Sequence, residues 1–212
     1  QFRLTATAGR NNVLRNILRA SDMDFRTVTL DARNEGERLG AGMGINGFST
    51  SGLTLDTLNI GVWRREERLN YHARLRNRPG NIDQMALIAV RGSVQGNTAT
   101  ALLHQENREG RTGFNFGLNA SLTPDAVTVT MTPENPTFGY VPWTVNSGNF
   151  LTYGFDREMS ADLHVIGDNG RRFEIVSASS ESMPTGAVRL IMAGIDIGEV
   201  LGLFPAMPPV DG

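Results

Sequence analysis

Hydrophobic and polar residues alternate with a period of two along most of the chain. Val127, Val129 and Met131 occupy every second position of one run, and threonines stand between them. Such alternation places apolar side chains on one face of a β-strand and polar side chains on the other. The same pattern recurs at residues 25–30, 53–62, 71–75, 114–120, 159–165 and 173–177. The chain is therefore predicted to be mainly β.

Short polar segments rich in glycine and asparagine separate these runs. They lie at residues 77–81, 95–97, 108–111 and 167–170. Asn-Gly and similar pairs favour tight turns because both residue types tolerate a positive φ angle. Closely spaced strands joined by such turns are typical of an antiparallel meander of hairpins.

Two segments carry helical spacing instead. Residues 11–20 place Val13, Leu14, Ile17 and Leu18 on one side, and Asn11 or Asn12 can cap the start. Residues 196–204 predict a second short helix that Asp196 caps and Pro205 ends. Each segment follows a strand, which indicates a long internal repeat with a junction near residues 185–212. We treat residues 1–212 as a single β-rich piece of a larger repeat protein, because neither end resembles a natural terminus.

Composition removes several classes of function. The chain has 212 residues, no cysteine and a net charge of −2, so disulfides, thiolate metal sites and a strong field for nucleic acid are excluded. No apolar run approaches the length of a membrane-spanning helix. All 20 basic residues are arginine. This bias reflects either the base composition of the gene or a set of contacts to lipid head groups.

Candidate catalytic groups are sparse. His72, His104 and His164 lie in alternating strands, and Asp162 shares a strand face with His164. That pair is either a general base with its partner or a solvated surface pair. The glycine-rich residues 40–47 lack the following helix of a phosphate cradle, which favours a strand that bends or allows close backbone approach. We expect no enzyme, no metal and no cofactor.

Aromatic residues concentrate between residues 138 and 155. They are Phe138, Tyr140, Trp143, Phe150, Tyr153 and Phe155. A platform for stacking nucleic-acid bases would need a basic groove around it, and only Arg157 follows closely. The cluster is therefore interpreted as a core corner of the sheet.

Two stretches resemble a known family. Residues 135–150 read NPTFGYVPWTVNSGNF and contain a Trp-x-Val-Asn sequence between two strands. Residues 188–201 read VRLIMAGIDIGEVL and lead into Phe204-Pro205. Both stretches are similar to features of the TamB-like translocation and assembly proteins, which belong to the AsmA-like superfamily of Gram-negative cell envelopes.

The resemblance implies a fold and a location. The fold would be an elongated, curled antiparallel sheet, trough- or taco-like, with a β-sandwich-like core and the two short helices. Its apolar groove would shield phospholipid acyl chains in the periplasm during transport between the inner and outer membranes. A barrel protein of outer-membrane assembly would be its partner, and an N-terminal helix outside this chain would anchor the full-length protein in the inner membrane.

Candidates for the lipid-facing row follow from the alternation. They are Phe114, Phe116, Leu118, Val127, Val129, Met131, Leu163, Val165, Phe173 and Ile175. Alternation alone does not separate core residues from lipid-contacting ones. A second hypothesis therefore stays open, in which the chain is a scaffold or chaperone-like module that binds an outer-membrane protein segment by strand addition. An enzyme on a β-sandwich ranks behind both, because no convincing pair of carboxylates is present.

Overall fold

A computed structural model describes residues 1–9, 11–36, 38–50, 54–77, 86–132, 136–178 and 186–195. These residues form one helix, α1 (Val13–Arg19), and sixteen strands. In chain order the strands are β1 (Phe2–Ala8), β2 (Thr27–Glu35), β3 (Arg38–Ser49), β4 (Thr54–Arg65), β5 (Arg68–Arg76), β6 (Leu87–Gln95), β7 (Thr98–Glu106), β8 (Thr112–Leu122), β9 (Ala126–Met131), β10 (Thr137–Phe138), β11 (Val141–Pro142), β12 (Thr144–Val145), β13 (Phe150–Gly154), β14 (Met159–Ile166), β15 (Arg172–Ser177) and β16 (Val188–Ala193). The prediction of a mainly β protein is confirmed.

The sixteen strands form one antiparallel sheet that is not closed into a barrel. Strands β1 to β9 lie in sequence order, and β13 to β16 continue the row after β9. The short strands β10 and β12 extend this row, because β10 pairs with the part of β8 that β9 does not reach and β12 does the same for β14. The predicted antiparallel meander is therefore confirmed.

The register places the apolar residues of successive strands on one side of the sheet. A single line of directly opposed residues crosses eight strands, and every member is apolar: Ala6, Leu30, Met43, Ile60, Ala73, Val90, Leu103 and Phe116. Opposed residues of an antiparallel pair point to the same side. We call this side the apolar face. The other side, which carries Thr5, Asp31, His72 and Arg91, is the polar face.

A buried cluster lies on the apolar face where the short strands join the sheet. Trp143 and Val145 pack there against Leu163 and Val165 of β14. Val165 is only 2% exposed. Partly buried side chains surround this cluster, namely Met131, Phe138, Val141, Phe173, Ile175 and Ile195. This part of the core is therefore formed by side chains of the segment 136–145 and of β14, which are neighbours in the sheet and share its apolar face.

The predicted hairpins are present where the structure describes them. Residues 95–97, 108–111 and 167–170 join β6 to β7, β7 to β8 and β14 to β15. Asn169 and Gly170 both have a positive φ, at 53° and 75°, as the Asn-Gly pair predicts. The turn predicted at residues 77–81 falls mostly outside the described residues.

The first predicted helix is confirmed, and Asn12 caps it by accepting a hydrogen bond from the Arg15 N–H at 2.9 Å. Arg15 and Arg19 of this helix both bind the carboxylate of Asp24, which precedes β2. These ion pairs fasten α1 to the sheet. The second predicted helix, at residues 196–204, lies outside the described residues, as does most of the predicted repeat junction.

The ion pairs of Asp24 predict a pH-dependent stability. The hydrogen bond from Arg15, helped by those from Arg19 and the Phe25 N–H, holds the pKa of Asp24 well below its usual value of 3.8. A carboxylate with a lowered folded-state pKa stabilises the fold above its unfolded pKa and loses that effect as the pH falls towards the folded one. We expect Asp24→Asn to destabilise the protein at neutral pH, with the difference from wild type shrinking from about pH 4 downwards. Urea titrations across this range measure the difference, and parallel curves for the two proteins would contradict it.

Candidate functional site

All ten residues predicted for the lipid-facing row lie on the apolar face. Leu118 lies opposite Met131, Val165 opposite Phe173, and Leu163 opposite Ile175. Three of the ten, Phe114, Leu163 and Val165, are buried. The other seven, Phe116, Leu118, Val127, Val129, Met131, Phe173 and Ile175, are half-buried. The row therefore divides into a core part and a part that is open to contact.

A cavity of about 320 Å³ opens on the apolar face beside the buried cluster. Four of the predicted residues line it: Phe116, Met131, Val165 and Phe173. Six further residues that the prediction did not include complete the lining: Phe138, Gly139, Trp143, Arg171, Met192 and Ile195. Such a cavity has the size and the apolar character of the smaller ligand pockets in proteins.

The lining of this cavity indicates that the sheet is strongly curved. Phe116 lies on β8 and Met192 on β16, which are five strand spacings apart. On a flat sheet these strands would be roughly 24 Å apart. Side chains of both strands line the same small cavity, so the apolar face must be concave here. This agrees with the predicted curled sheet.

Aromatic rings form one wall of the cavity. Phe116 stacks on Phe138 with ring centroids 5.0 Å apart, and Phe138 meets Trp143 edge to face at 6.0 Å. The indole N–H of Trp143 donates to the Phe138 carbonyl at 2.9 Å, so its polar atom is satisfied away from the cavity. Both geometries are favourable for aromatic pairs. These rings therefore present carbon atoms to the cavity.

The backbone of Gly167 supports the other side of this wall. A Cβ atom added at Gly167 would lie 3.0 Å from the Trp143 indole. The ring therefore packs directly on the start of the β14–β15 hairpin, the same hairpin that carries Arg171. This contact links the aromatic wall to the rim of the cavity.

Two asparagines hold the irregular segment that carries Trp143. Asn149 accepts from the Met131 N–H at 2.7 Å and donates to the Met131 and Asn146 carbonyls at 2.8 and 3.0 Å. Asn146 accepts from the His164 N–H at 2.9 Å and donates to the Asp162 carbonyl at 3.0 Å. Between β12 and β13, where the regular ladder is interrupted, these side chains replace backbone pairing on both sides. This gives the Trp-x-Val-Asn sequence a structural role.

One charged side chain lines the cavity. Arg171 directly precedes β15 and lines the cavity together with Phe173, two residues later. Its backbone N–H donates to the Asp168 carbonyl at 3.0 Å, and its carbonyl accepts from Gly167 at 2.9 Å. The described residues that line the cavity include no carboxylate. The described lining is therefore apolar apart from one arginine.

The rest of the apolar face is unusually exposed. Over one third of the surface remains accessible at Phe2, Leu4, Leu30, Leu39, Ile60, Val62, Leu69, Val94, Leu122, Tyr153, Leu190 and Met192. The register places all of these residues on the apolar face. Large contiguous apolar surfaces are rare on monomeric soluble proteins and mark sites of interaction.

The interpretation of the aromatic stretch as a core corner is only partly correct. Trp143 is buried, but Tyr153 and Phe155 are about half exposed. Tyr153 lies opposite Val127 on the open part of the apolar face. Its exposure therefore follows from its place on the sheet and not from the size of its side chain.

The other groups considered in the sequence lie on the polar face. His164 binds Asp162 at 3.0 Å and approaches Glu174 at 3.7 Å, as a partly exposed surface group. The glycine-rich segment is strand β3, where a Cβ at Gly44 would lie 2.7 Å from the Thr29 hydroxyl. The close neighbour is a side chain of the paired strand, so the predicted alternatives of a bend or a close backbone approach stay predictions. In the described part of the chain, no three His, Asp or Glu side chains group as metal ligands.

No helix among the described residues is long and apolar enough to cross a membrane. Sequence reasoning missed Phe138, Trp143 and Met192 as lining residues, although each belongs to an apolar strand pattern. It also missed Arg171, whose charge masks its place in the alternation with Phe173 and Ile175.

The resemblance to the TamB-like family remains a prediction from sequence, because comparisons with protein-family models, with curated proteins and with solved structures find no match to this chain.

Proposed function

We propose that this chain is a segment of a periplasm-spanning protein of a Gram-negative envelope that shields lipid acyl chains. Its apolar face would carry phospholipid between the inner and outer membranes and support outer-membrane protein assembly, without a catalytic step. The observation that carries the proposal is the exposed apolar face, which runs from β1 to β16 without a covering layer over most of its described length.

The energetics favour an acyl chain as the missing cover. Exposed apolar surface costs about 25 cal/mol per Å², and each methylene that leaves water gains about 0.8 kcal/mol. A lipid tail laid along the concave face would remove both surfaces from water. The contact needs no hydrogen bonds, which agrees with a face whose central line is entirely apolar.

Introducing a charge on this face is expected to abolish lipid binding. Asp at Phe116 or Val129 would place an unpaired carboxylate in the path of the tail, where desolvation is costly. Native mass spectrometry with lipid extraction, on protein purified from a Gram-negative host, should show co-purified phospholipid in wild type and its loss in Phe116→Asp and Val129→Asp.

The matched control is Thr130→Asp. Thr130 is the neighbour of Val129 on β9 and faces the polar side. This variant should keep its lipid. Equal loss in Thr130→Asp and Val129→Asp would indicate a general folding defect, and a folded wild-type protein without any lipid would contradict the proposal.

Strand addition is the second candidate function, and β1 favours it. Among the described strands β1 pairs only with β2, and six of its seven residues are exposed. Its free edge offers backbone groups to an incoming strand. Amide exchange on lipid-free protein, with and without an unfolded outer-membrane hairpin peptide, tests this function. Protection confined to β1 or β16 supports it, and unchanged exchange at both edges contradicts it.

A further inference from the structure

The cavity on the apolar face differs from the open part of that face in shape and in charge. Its lining includes the aromatic wall of Phe138 and Trp143 together with Phe173 and Met192. Its volume of about 320 Å³ is at the lower end for ligand pockets. This size suits a single hydrocarbon tail better than a pair of tails.

The described residues that line the cavity include one charged residue, Arg171, which directly precedes β15. Arg171 is half-buried, and its backbone is fixed by the two hydrogen bonds within residues 167–171. Its Cα and Cγ atoms lie 3.4 Å from where a Cβ of Gly194 would be, so the start of its side chain passes beside the end of β16. A guanidinium beside apolar surface favours an anion, because the surrounding low dielectric strengthens the attraction.

A guanidinium also has the donors for such a ligand. It carries five N–H groups in a planar fork, enough to bind a protein acceptor and a ligand oxygen at the same time. Carboxylate and phosphate groups match this fork with two parallel hydrogen bonds.

We propose that this cavity binds a single-chain anionic amphiphile, with its tail against Phe138, Trp143 and Phe173 and its acidic head group paired with Arg171. The inference rests on the proposed lipid-shielding function and narrows it. The open face accepts tails without regard to the head group, whereas this cavity selects a negative head and one chain. Fatty-acid carboxylates and the phosphates of single-chain lysophospholipids share this chemistry.

Trp143 provides a direct readout of binding. It lines the cavity, and Trp63, the other tryptophan, lies on β4 facing the polar side. In a Trp63→Phe background, a tail with bromine on its last carbon should quench the fluorescence of Trp143 by contact. Three ligands with the same brominated tail would be titrated: a carboxylate, a phosphate monoester and a trimethylammonium.

The expected result is a preference set by Arg171. The two anionic ligands should bind about tenfold more tightly than the cationic one, and Arg171→Gln should remove this preference. Arg171→Lys should keep part of it, because the charge remains. Arg172→Gln is the matched control, since Arg172 is the next residue and is exposed on the polar face. It should bind like the parent. A difference in affinity between the carboxylate and the phosphate ligand would identify the preferred head group.

Three outcomes would overturn the inference. Equal binding of anionic and cationic ligands, or a preference that survives Arg171→Gln, would show that Arg171 does not select the head group. A two-chain brominated phosphatidylglycerol that quenches Trp143 as tightly as the single-chain ligands would refute the one-chain cavity. In these cases the lipid-shielding function would stand. No quenching by any ligand, together with no co-purified lipid, would remove both.

Discussion

Replacing Trp143 with alanine is expected to lower the free energy of unfolding by about 3–5 kcal/mol. The side chain is only 6% exposed and packs against Val165, Phe138 and the backbone of Gly167. Its removal leaves a void beside an existing cavity and removes the indole hydrogen bond to the Phe138 carbonyl. Urea denaturation followed by circular dichroism measures the loss.

Trp63 is the internal control for this experiment. It is 38% exposed on the polar face and touches mainly His72, with ring centroids 5.5 Å apart. Trp63→Ala should cost less than about 1 kcal/mol, as most surface substitutions do. Equal losses for the two variants would mean that the segment 136–145 is not the core of this half of the sheet.

Replacing Asn149 with alanine should lower the free energy of unfolding by about 2–4 kcal/mol. Its side chain is buried and makes three hydrogen bonds to backbone groups, each worth about 1 kcal/mol. Without it, the N–H and the carbonyl of Met131 lose their partner inside the protein. Chemical denaturation gives the magnitude, and amide exchange at Met131 should accelerate.

A second asparagine, Asn119, serves as the control that separates the loss of these hydrogen bonds from the mere loss of an amide side chain. Asn119 lies on β8, exposed on the polar face. Asn119→Ala should change stability by no more than about 0.5 kcal/mol. A similarly small effect of Asn149→Ala would show that the interruption between β12 and β13 is held by other contacts. The change in stability at exposed Asn119 is therefore the baseline for the change at buried Asn149.

The common face of the sheet could be predicted from sequence because of how antiparallel strands pair. Once Val129 and Phe116 are assigned to inward positions of neighbouring strands, hairpin connections keep every later inward residue on the same side. Local alternation therefore extends to a global property. Turn residues such as Asn169 and Gly170 also predicted where the chain reverses its direction.

The cavity could not be predicted in the same way. It depends on curvature, which brings Phe116 and Met192 together across five strand spacings and leaves no local trace in the sequence. Burial also depends on this curvature. Leu163 and Tyr153 both lie on the apolar face, yet Leu163 belongs to the buried cluster with Trp143, whereas Tyr153 does not and is exposed. The role of Asn149 could not be predicted either, because it depends on the interruption of the backbone ladder between β12 and β13.

The meander has a consequence for how such a sheet can grow or shrink. From β1 to β9 each strand contacts mainly the one before and the one after it in the chain, so the contacts are local in sequence and stability is close to a sum over neighbouring strands. Folding can therefore begin at any hairpin and spread outward, with the two edges opening first. One hairpin is also the natural unit of change in length. Adding or deleting two strands restores the chain direction and keeps the apolar side continuous, so the width of the sheet can change without redesign of its core.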